Sequence, residues 1–336
     1  MSDEPSATET TEVKKSGLGR VLQLLRSPAV KLTFLAIALA GATWAIVSQW
    51  DNLVAAISRL PWYVTPVCLV IALVYVFLTM LSWRAVLADL GSRLSVRQAA
   101  RLFFVSQLGK YVPGGVWNYL AVVEMGAEHE IPRRRSLSAM VVSILISIIT
   151  AGILALPGIA FADVLPTDVR VWLLVLIPVA ACMLIPRVLN TLISFALRLA
   201  KRPPLEHPLT LGGITVSSGW ALVGWAVSGL LIWTLAIHLG MPATGESYVL
   251  AAGGYALSWA LGFIVFFMPA GIGVRELVLA AMLLNQLDSG ALVLIVLLAR
   301  VLSTLADVLL GIGALMIGRG RASNAETANA QAAAGL

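Results

Sequence analysis

Charge is scarce in this sequence. Only 12% of its 336 residues are Asp, Glu, Lys or Arg, about half the share found in soluble domains. A chain with so little polar surface cannot cover a globule in water, which excludes a soluble fold. Cysteine is nearly absent too. Cys68 and Cys182 are the two present, both inside apolar runs, where they read as packed thiols. No disulfide framework and no zinc spacing exists. The three histidines, His129, His207 and His238, have no neighbours that suggest catalysis. His129 stands among Glu124, Glu128 and Glu130 in a polar stretch that matches no metal-ligand spacing. No G-x-x-x-x-G-K-[ST] loop occurs, so direct ATP-driven pumping is not expected. No cofactor and no metal is expected.

What the sequence has is apolar length. Hydrophobic residues make up 59%, and the mean hydropathy is +0.92. Several runs approach or exceed the roughly 20 residues that cross a bilayer core as helix. Backbone groups in lipid must be satisfied within the segment, and uninterrupted runs of this length fit helices rather than barrel strands. The fold class is therefore all-α, a polytopic transmembrane helical bundle. Six spans are expected, near 31–50, 62–83, 136–160, 170–186, 214–239 and 291–318. Trp50, Trp62, Trp83, Trp172 and Trp220 fall near span ends, where indole favours the headgroup boundary. Trp225, Trp233 and Trp259 read instead as core packing. Residues 1–16 and 319–336 are polar tails expected to be disordered, flanking a single transmembrane domain over 17–318. The acidic start of the chain and the lack of a small-residue cleavage site argue against a cleavable signal.

Two apolar regions are interrupted. Residues 97–130 break at Pro113-Gly114-Gly115, and residues 247–287 break at Pro269-Ala270-Gly271. Proline removes a backbone donor and glycine relaxes the chain, so each break reads as a turn between two helical arms. Each such hairpin, re-entrant or fully spanning, returns the chain to the side it left. Placing the N-terminus in the cytoplasm then puts all but four of the 23 Lys+Arg on the inner side. The exceptions are Arg59 and Arg170 in outer loops and Arg275 and Arg300 within the membrane part. That asymmetry predicts both termini inside. It also explains the net charge of +6 as topology rather than nucleic-acid binding. The basic amphipathic stretches 17–27 and 187–202 are expected to lie in the inner interface beside anionic lipid.

The order of elements repeats with opposite orientation. Residues 28–160 run out, in, hairpin, out, whereas residues 170–318 run in, out, hairpin, in. Ser106 and Gly109 precede the first break as Ser258 and Gly262 precede the second. Inverted-topology repeats with broken helices are a recurring plan of transporters, because two packings of one half against the other open a central site to opposite sides.

Gln107-Leu108-Gly109-Lys110-Tyr111-Val112-Pro113-Gly114-Gly115-Val116-Trp117 resembles the first signature of the lysylphosphatidylglycerol synthase transmembrane-region family. Met268-Pro269-Ala270-Gly271-Ile272-Gly273-Val274-Arg275-Glu276 resembles its second. The resemblance covers roughly residues 25–320 and implies a flippase-like bundle. Members fused to a soluble aminoacyl-transferase domain translocate aminoacylated phosphatidylglycerol, and some stand-alone members are associated with lipid-linked sugar pathways. This sequence carries no such soluble domain, so lysyl transfer onto lipid is not expected.

Ionised residues at mid-membrane cost roughly 2.5–3.5 kcal/mol on insertion scales, so they pair or line a wet cavity. Arg275, Glu276, Arg300 and Asp307 fall in the second hairpin and the last span. Arg300 and Asp307 share a helix face about two turns apart. Glu276 is expected near Arg300, and Arg275 near Asp307. Such a set serves either to bind substrate or to hold the hairpin in place. Lys110, just before the first break, suits a lipid phosphate or snorkels to the interface. The candidate substrate site comprises Lys110, Pro113, Gly114, Gly115 and Asn118 from the first hairpin. Pro269, Gly271, Gly273, Arg275 and Glu276 join it from the second, with Arg300 and Asp307 from the last span. The expected partners are membrane lipids, anionic or polyprenyl-linked, with a second copy or a lipid-pathway enzyme as protein partners. The leading function is a lipid or lipid-linked substrate translocase. The alternatives are a glycosyltransferase or accessory subunit acting on polyprenyl-linked sugar, and a structural subunit. The outer carboxylates Asp51, Asp163, Asp168 and Glu246 form no motif for the enzyme reading.

Overall fold

A computed structural model describes residues 47–48, 50–111, 117–162, 166–199, 205, 207–265, 271 and 273–334. Among them there is helix and no strand. In chain order the helices are α1 (Trp50–Arg59), α2 (Val64–Asp89), α3 (Val96–Leu108), α4 (Trp117–Ala127), α5 (Arg133–Phe161) and α6 (Thr167–Cys182). They continue with α7 (Pro186–Leu199), α8 (Leu211–His238), α9 (Gly245–Ile264), α10 (Val274–Leu283) and α11 (Ser289–Ala334). A 3-10 turn, Gly109–Tyr111, follows α3.

Five helices are long and apolar enough to cross a membrane: α2, α5, α8, α9 and the Ser289–Met316 part of α11. The 26 residues of α2 give about 39 Å at 1.5 Å per residue, more than the roughly 30 Å hydrocarbon core. Their outer faces are apolar. Val67, Val70 and Val74 on α2, Val216 and Val223 on α8, and Val301, Leu305, Leu309 and Ile312 on α11 are all exposed. Such stripes would aggregate in water and are satisfied in lipid. The chain is a multi-pass membrane protein.

Polar contacts gather the helix ends into two layers. At the basic end, Ser95 and Gln98 form a capping box on α3, Arg84 donates to the Leu94 carbonyl, and Arg135 donates to Ser92. Asp89 accepts from the Thr210 backbone and hydroxyl at 2.8 and 2.6 Å, a carboxylate at the N-terminus of α8 where the helix dipole favours it. At the opposite end, Arg59 meets Asp288 at 2.8 Å, and Tyr63 packs edge-on to His238. The Ala291 backbone N–H, and then Arg59, hold the Asp288 carboxyl below its ordinary range. A lowered folded value means stability that is present above the ordinary carboxylate range and lost as pH falls through the folded value. The pair is surface-exposed, so the loss on acidification is expected to stay under about 1 kcal/mol. Thermal unfolding across the acid range checks this, with Asp288→Asn removing that part of the pH slope.

Several sequence expectations change. The expected span 31–50 lies almost wholly outside the described residues. The stretch after it, read as an outer loop, forms the amphipathic helix α1, which buries Leu53 and Ala56. Asn52 on α1 sits backbone to backbone with Gly290 at the start of α11. The expected straight span 170–186 ends as α6 at Cys182, and the chain bends by 71° into α7. Pro186 opens the new helix, where proline is tolerated because its missing N–H has no partner to lose. Residues 187–199 of the basic stretch thus lie in a separate helix, with Phe195 and Leu199 exposed and Leu189 and Ile193 buried. Cys182, expected packed, is exposed. Trp83, expected at the boundary, is buried at 2% exposure, because α3 folds back beneath it and Phe103 covers its ring at 5.5 Å.

Helix contacts recur between the two parts of the chain. In the first half α3 and α4 form the hairpin and α5 follows; in the second, α9 and α10 form it and α11 follows. Each half's first hairpin arm packs on the other half's closing helix, α3 on α11 and α9 on α5. The equivalent helices α2 and α8 pack on each other, and α2 on α11 mirrors α8 on α5. Local detail repeats as well. Ser106 donates to the Phe103 carbonyl and Ser258 to the Tyr255 carbonyl, each three residues back. Gly109 and Gly262 each lie against the arm that follows the break, at Trp117-Asn118 and at Arg275. The two hairpins differ in shape, since α3 and α4 have 13 and 11 residues whereas α9 has 20 and α10 only 10.

The contact of α9 with α5 is glycine to glycine. A Cβ on Gly253 would lie 2.6 Å from the Gly158 Cα. Small residues of this kind let membrane helices approach closely. Gly253→Val is expected to destabilise the bundle by about 1–3 kcal/mol through overpacking. Unfolding in detergent against wild type measures it.

Candidate functional site

The last helix carries the centre of the site. Arg300 and Asp307 project from one face of α11, about 10 Å apart along its axis. Each meets a different hairpin. Glu276, at the start of α10, places Oε1 3.9 Å from Arg300 Nε. Its other oxygen accepts the Gly273 backbone N–H at 2.6 Å. That bond closes a turn in which Gly273 has φ +88°, a conformation that favours glycine. Asp307 instead belongs to the first hairpin. Lys110 Nζ lies 2.6 Å from Asp307 Oδ2, and the Tyr111 hydroxyl donates to the same oxygen at 2.6 Å. The Asp307 side chain is 5% exposed and that of Lys110 is 33% exposed. Leu108 packs directly on Gly311, one turn further along α11.

The expected pairing of Arg275 with Asp307 is therefore corrected, while Glu276 does lie beside Arg300. The reason is position along α11. Asp307 lies two turns nearer the basic end, where the turn after α3 arrives. Arg275 is held at the start of α10 with its stem against Gly262 and Gly271. Its guanidinium lies over the Trp259 ring at 5.6 Å, a cation–π contact. Its Nε is buried with no hydrogen-bond partner among the described residues.

Arg275 lines a half-open cleft of about 50 Å³ between α9, α10 and α11. Tyr255, Ser258 and Trp259 face it from α9, Glu276 from α10, and Arg300 and Ser303 from α11. The Tyr255 and Ser303 hydroxyls are 3.3 Å apart. Two guanidinium groups against one carboxylate leave a positive excess, and the hydroxyls can donate. The cleft is thus suited to an anion with several oxygen atoms, since guanidinium forks match phosphate geometry. No cluster of three metal-ligating side chains exists among the described residues.

Of the sequence candidates, Arg275, Glu276 and Arg300 come together at this cleft, with Gly271 against the Arg275 side chain and Gly273 bonded to Glu276. Lys110 and Asp307 form the neighbouring set. Asn118 stands at the start of α4 with its backbone against Gly109, away from the cleft. Pro113, Gly114, Gly115 and Pro269 lie outside the described residues. Sequence reasoning missed Tyr111, although it follows Lys110 directly. It missed Tyr255 and Ser303, which carry no charge to mark them, and it read Trp259 as core packing.

Two broken hairpins that meet charged residues of one closing helix match the two signature stretches quoted above, and the correspondence extends along the chain. The chain belongs to the lysylphosphatidylglycerol synthase transmembrane-region family. The match covers residues 30–311, which includes both hairpins and both α11 charges. Comparison with curated proteins gives no match.

Proposed function

We propose that the protein translocates a lipid with an anionic headgroup across the cytoplasmic membrane, with its basic end facing the cytoplasm. The observation that carries this reading is the Arg275 side chain, whose buried Nε lacks a partner among the described residues, beside a cleft that also contains Arg300. A buried guanidinium nitrogen without a hydrogen bond costs free energy unless a ligand completes it. The lipid phosphate fills that role, with Ser258, Tyr255 and Ser303 as further donors. The acyl chains stay in the bilayer beside the apolar outer faces of the helices. The inverted arrangement of the hairpins supports access from both sides, and the basic end supports the orientation. The reading assigns no covalent step to the site.

The test is reconstitution in liposomes with a panel of fluorescent headgroups, anionic, zwitterionic and polyprenyl-linked. The expected result is faster exchange between leaflets of an anionic lipid than in protein-free vesicles. Exchange of every probe at the protein-free rate contradicts the reading. Transfer of sugar from a lipid donor favours the enzyme instead.

A further inference from the structure

The surface of α7 divides into three stripes. Residues at i, i+3 or i+4, i+7 and i+11 share one face of a helix. Pro186, Leu189, Ile193 and Leu197 follow that spacing and face the bundle, with Leu189 and Ile193 buried and Leu197 packed beside them. Shifted by one residue, Arg187, Thr191, Ser194 and Arg198 form a polar stripe, half-buried at Ser194 and exposed at the other three. Shifted by two, Val188, Leu192, Phe195 and Leu199 form an apolar stripe, in which Phe195 is 66% and Leu199 78% exposed. We propose that α7 is a lipid-binding helix in the headgroup layer at the basic end, with its apolar stripe at the acyl boundary and Arg187 and Arg198 on the phosphates of anionic lipids.

Two observations fix where α7 lies. It leaves α6 at a bend of 71°, so it turns away from the direction of the helix before it. The Asn190 side chain then ties it down, donating to the Leu209 carbonyl at 3.0 Å and accepting from the Leu209 backbone N–H at 2.9 Å. Leu209 directly precedes Thr210, the cap of α8 that Asp89 holds. The helix is thereby level with the basic end of a membrane-crossing helix. At that level, one apolar and one cationic exposed stripe side by side are the mark of an interfacial helix.

Lipid fits the two open stripes better than protein does. The apolar stripe continues the exposed apolar surface of α6, where Val175, Leu176 and Val179 are exposed. A second copy docked here across a twofold axis would bring the arginines of both chains together, whereas anionic phosphates complement them. Arg187 and Arg198 stand eleven residues apart, about 16 Å along the axis. That is too far for one phosphate, so each meets its own and their contributions add. No described residue of α7 lines the Arg275 cleft. The inference therefore goes beyond the proposed function and holds whether or not lipid crosses the bilayer.

The test is fluorescence quenching of the full chain in lipid nanodiscs. A fluorophore is attached at Phe195→Cys or at Thr191→Cys, one on each open stripe, in a background of Cys68→Ala and Cys182→Ser. One quencher is a nitroxide on the acyl chain of phosphatidylglycerol or, at the same mole fraction, of phosphatidylcholine. The other is iodide in the water. The nitroxide is expected to quench position 195 more than position 191, and iodide the reverse. At position 195 the phosphatidylglycerol nitroxide is expected to act at least about twofold more strongly than the phosphatidylcholine one. Arg187→Gln and Arg198→Gln are each expected to lose part of that preference and the double variant all of it, while Arg187→Lys with Arg198→Lys keeps it. Iodide quenching of position 195 as strong as that of position 191 puts α7 in water and overturns the inference. Shielding of position 195 from both quenchers means that protein covers it and overturns the inference as well. Equal quenching by the two lipids, or a preference that survives the double Gln variant, does the same.

Discussion

Lys110→Ala is expected to destabilise the protein more than Asp307→Ala, although both remove the same ion pair. The asymmetry follows from burial. Asp307 is 5% exposed and Lys110 is 33% exposed. Deleting Lys110 strands a carboxylate inside the bundle with only the Tyr111 hydroxyl on it among the described residues, and breaking a buried pair in that way costs about 3–5 kcal/mol. Deleting Asp307 frees an ammonium on a flexible stem that reaches the interface, so the cost falls to about 1 kcal/mol, close to that of a lost hydrogen bond. The double variant Lys110→Ala with Asp307→Ala is expected to recover most of the difference, because no buried charge is left unpaired. Unfolding midpoints of the four proteins in one detergent give the cycle. Equal losses in the two single variants would place Asp307 in contact with water.

The second large effect concerns Arg275. Arg275→Ala is expected to slow lipid exchange at least about tenfold, the loss of one charge-assisted contact of about 1.5–3 kcal/mol. Stability should hold, because the buried Nε gives up no hydrogen bond among the described residues when the side chain is shortened. Arg275→Lys is expected to restore little. An ammonium offers no planar fork to a phosphate and stacks poorly on Trp259. Exchange in liposomes, compared with the folded fraction of each variant, separates the two effects. A wild-type rate in Arg275→Ala would remove Arg275 from the site.

The sequence showed the bundle because apolar runs of bilayer length leave few alternatives, and it marked two hairpins in a symmetric order of elements because Pro113-Gly114-Gly115 and Pro269-Ala270-Gly271 interrupt equivalent regions. The cross-packing of α3 on α11 and α9 on α5 was implicit in that symmetry. The ion pairs were legible only in part. Seven-residue spacing put Arg300 and Asp307 on one face, and Glu276 could be placed by its neighbouring turn. The partner of Asp307 could not, since Lys110 lies 197 positions earlier and no local pattern ties them. Trp83 shows a related limit. Its place near the end of an apolar run fits the interface, yet α3 covers it, and a single run carries no information about what folds over it. The break before Pro186 was legible, since the apolar run 170–186 and the basic amphipathic stretch 187–202 differ in composition, and α6 gives way to α7 near their boundary.

The central claim is that the last helix joins both hairpins, with Asp307 bound to the first and Arg300 beside the second. Zero-length coupling tests it most directly. A membrane-permeant carbodiimide activates buried carboxyls, and an amine in contact captures them as an amide. Peptide mass spectrometry of the treated protein is expected to find Lys110 joined to Asp307, with the link lost in Lys110→Arg. Activation of Asp307 without any link to Lys110 would contradict the account.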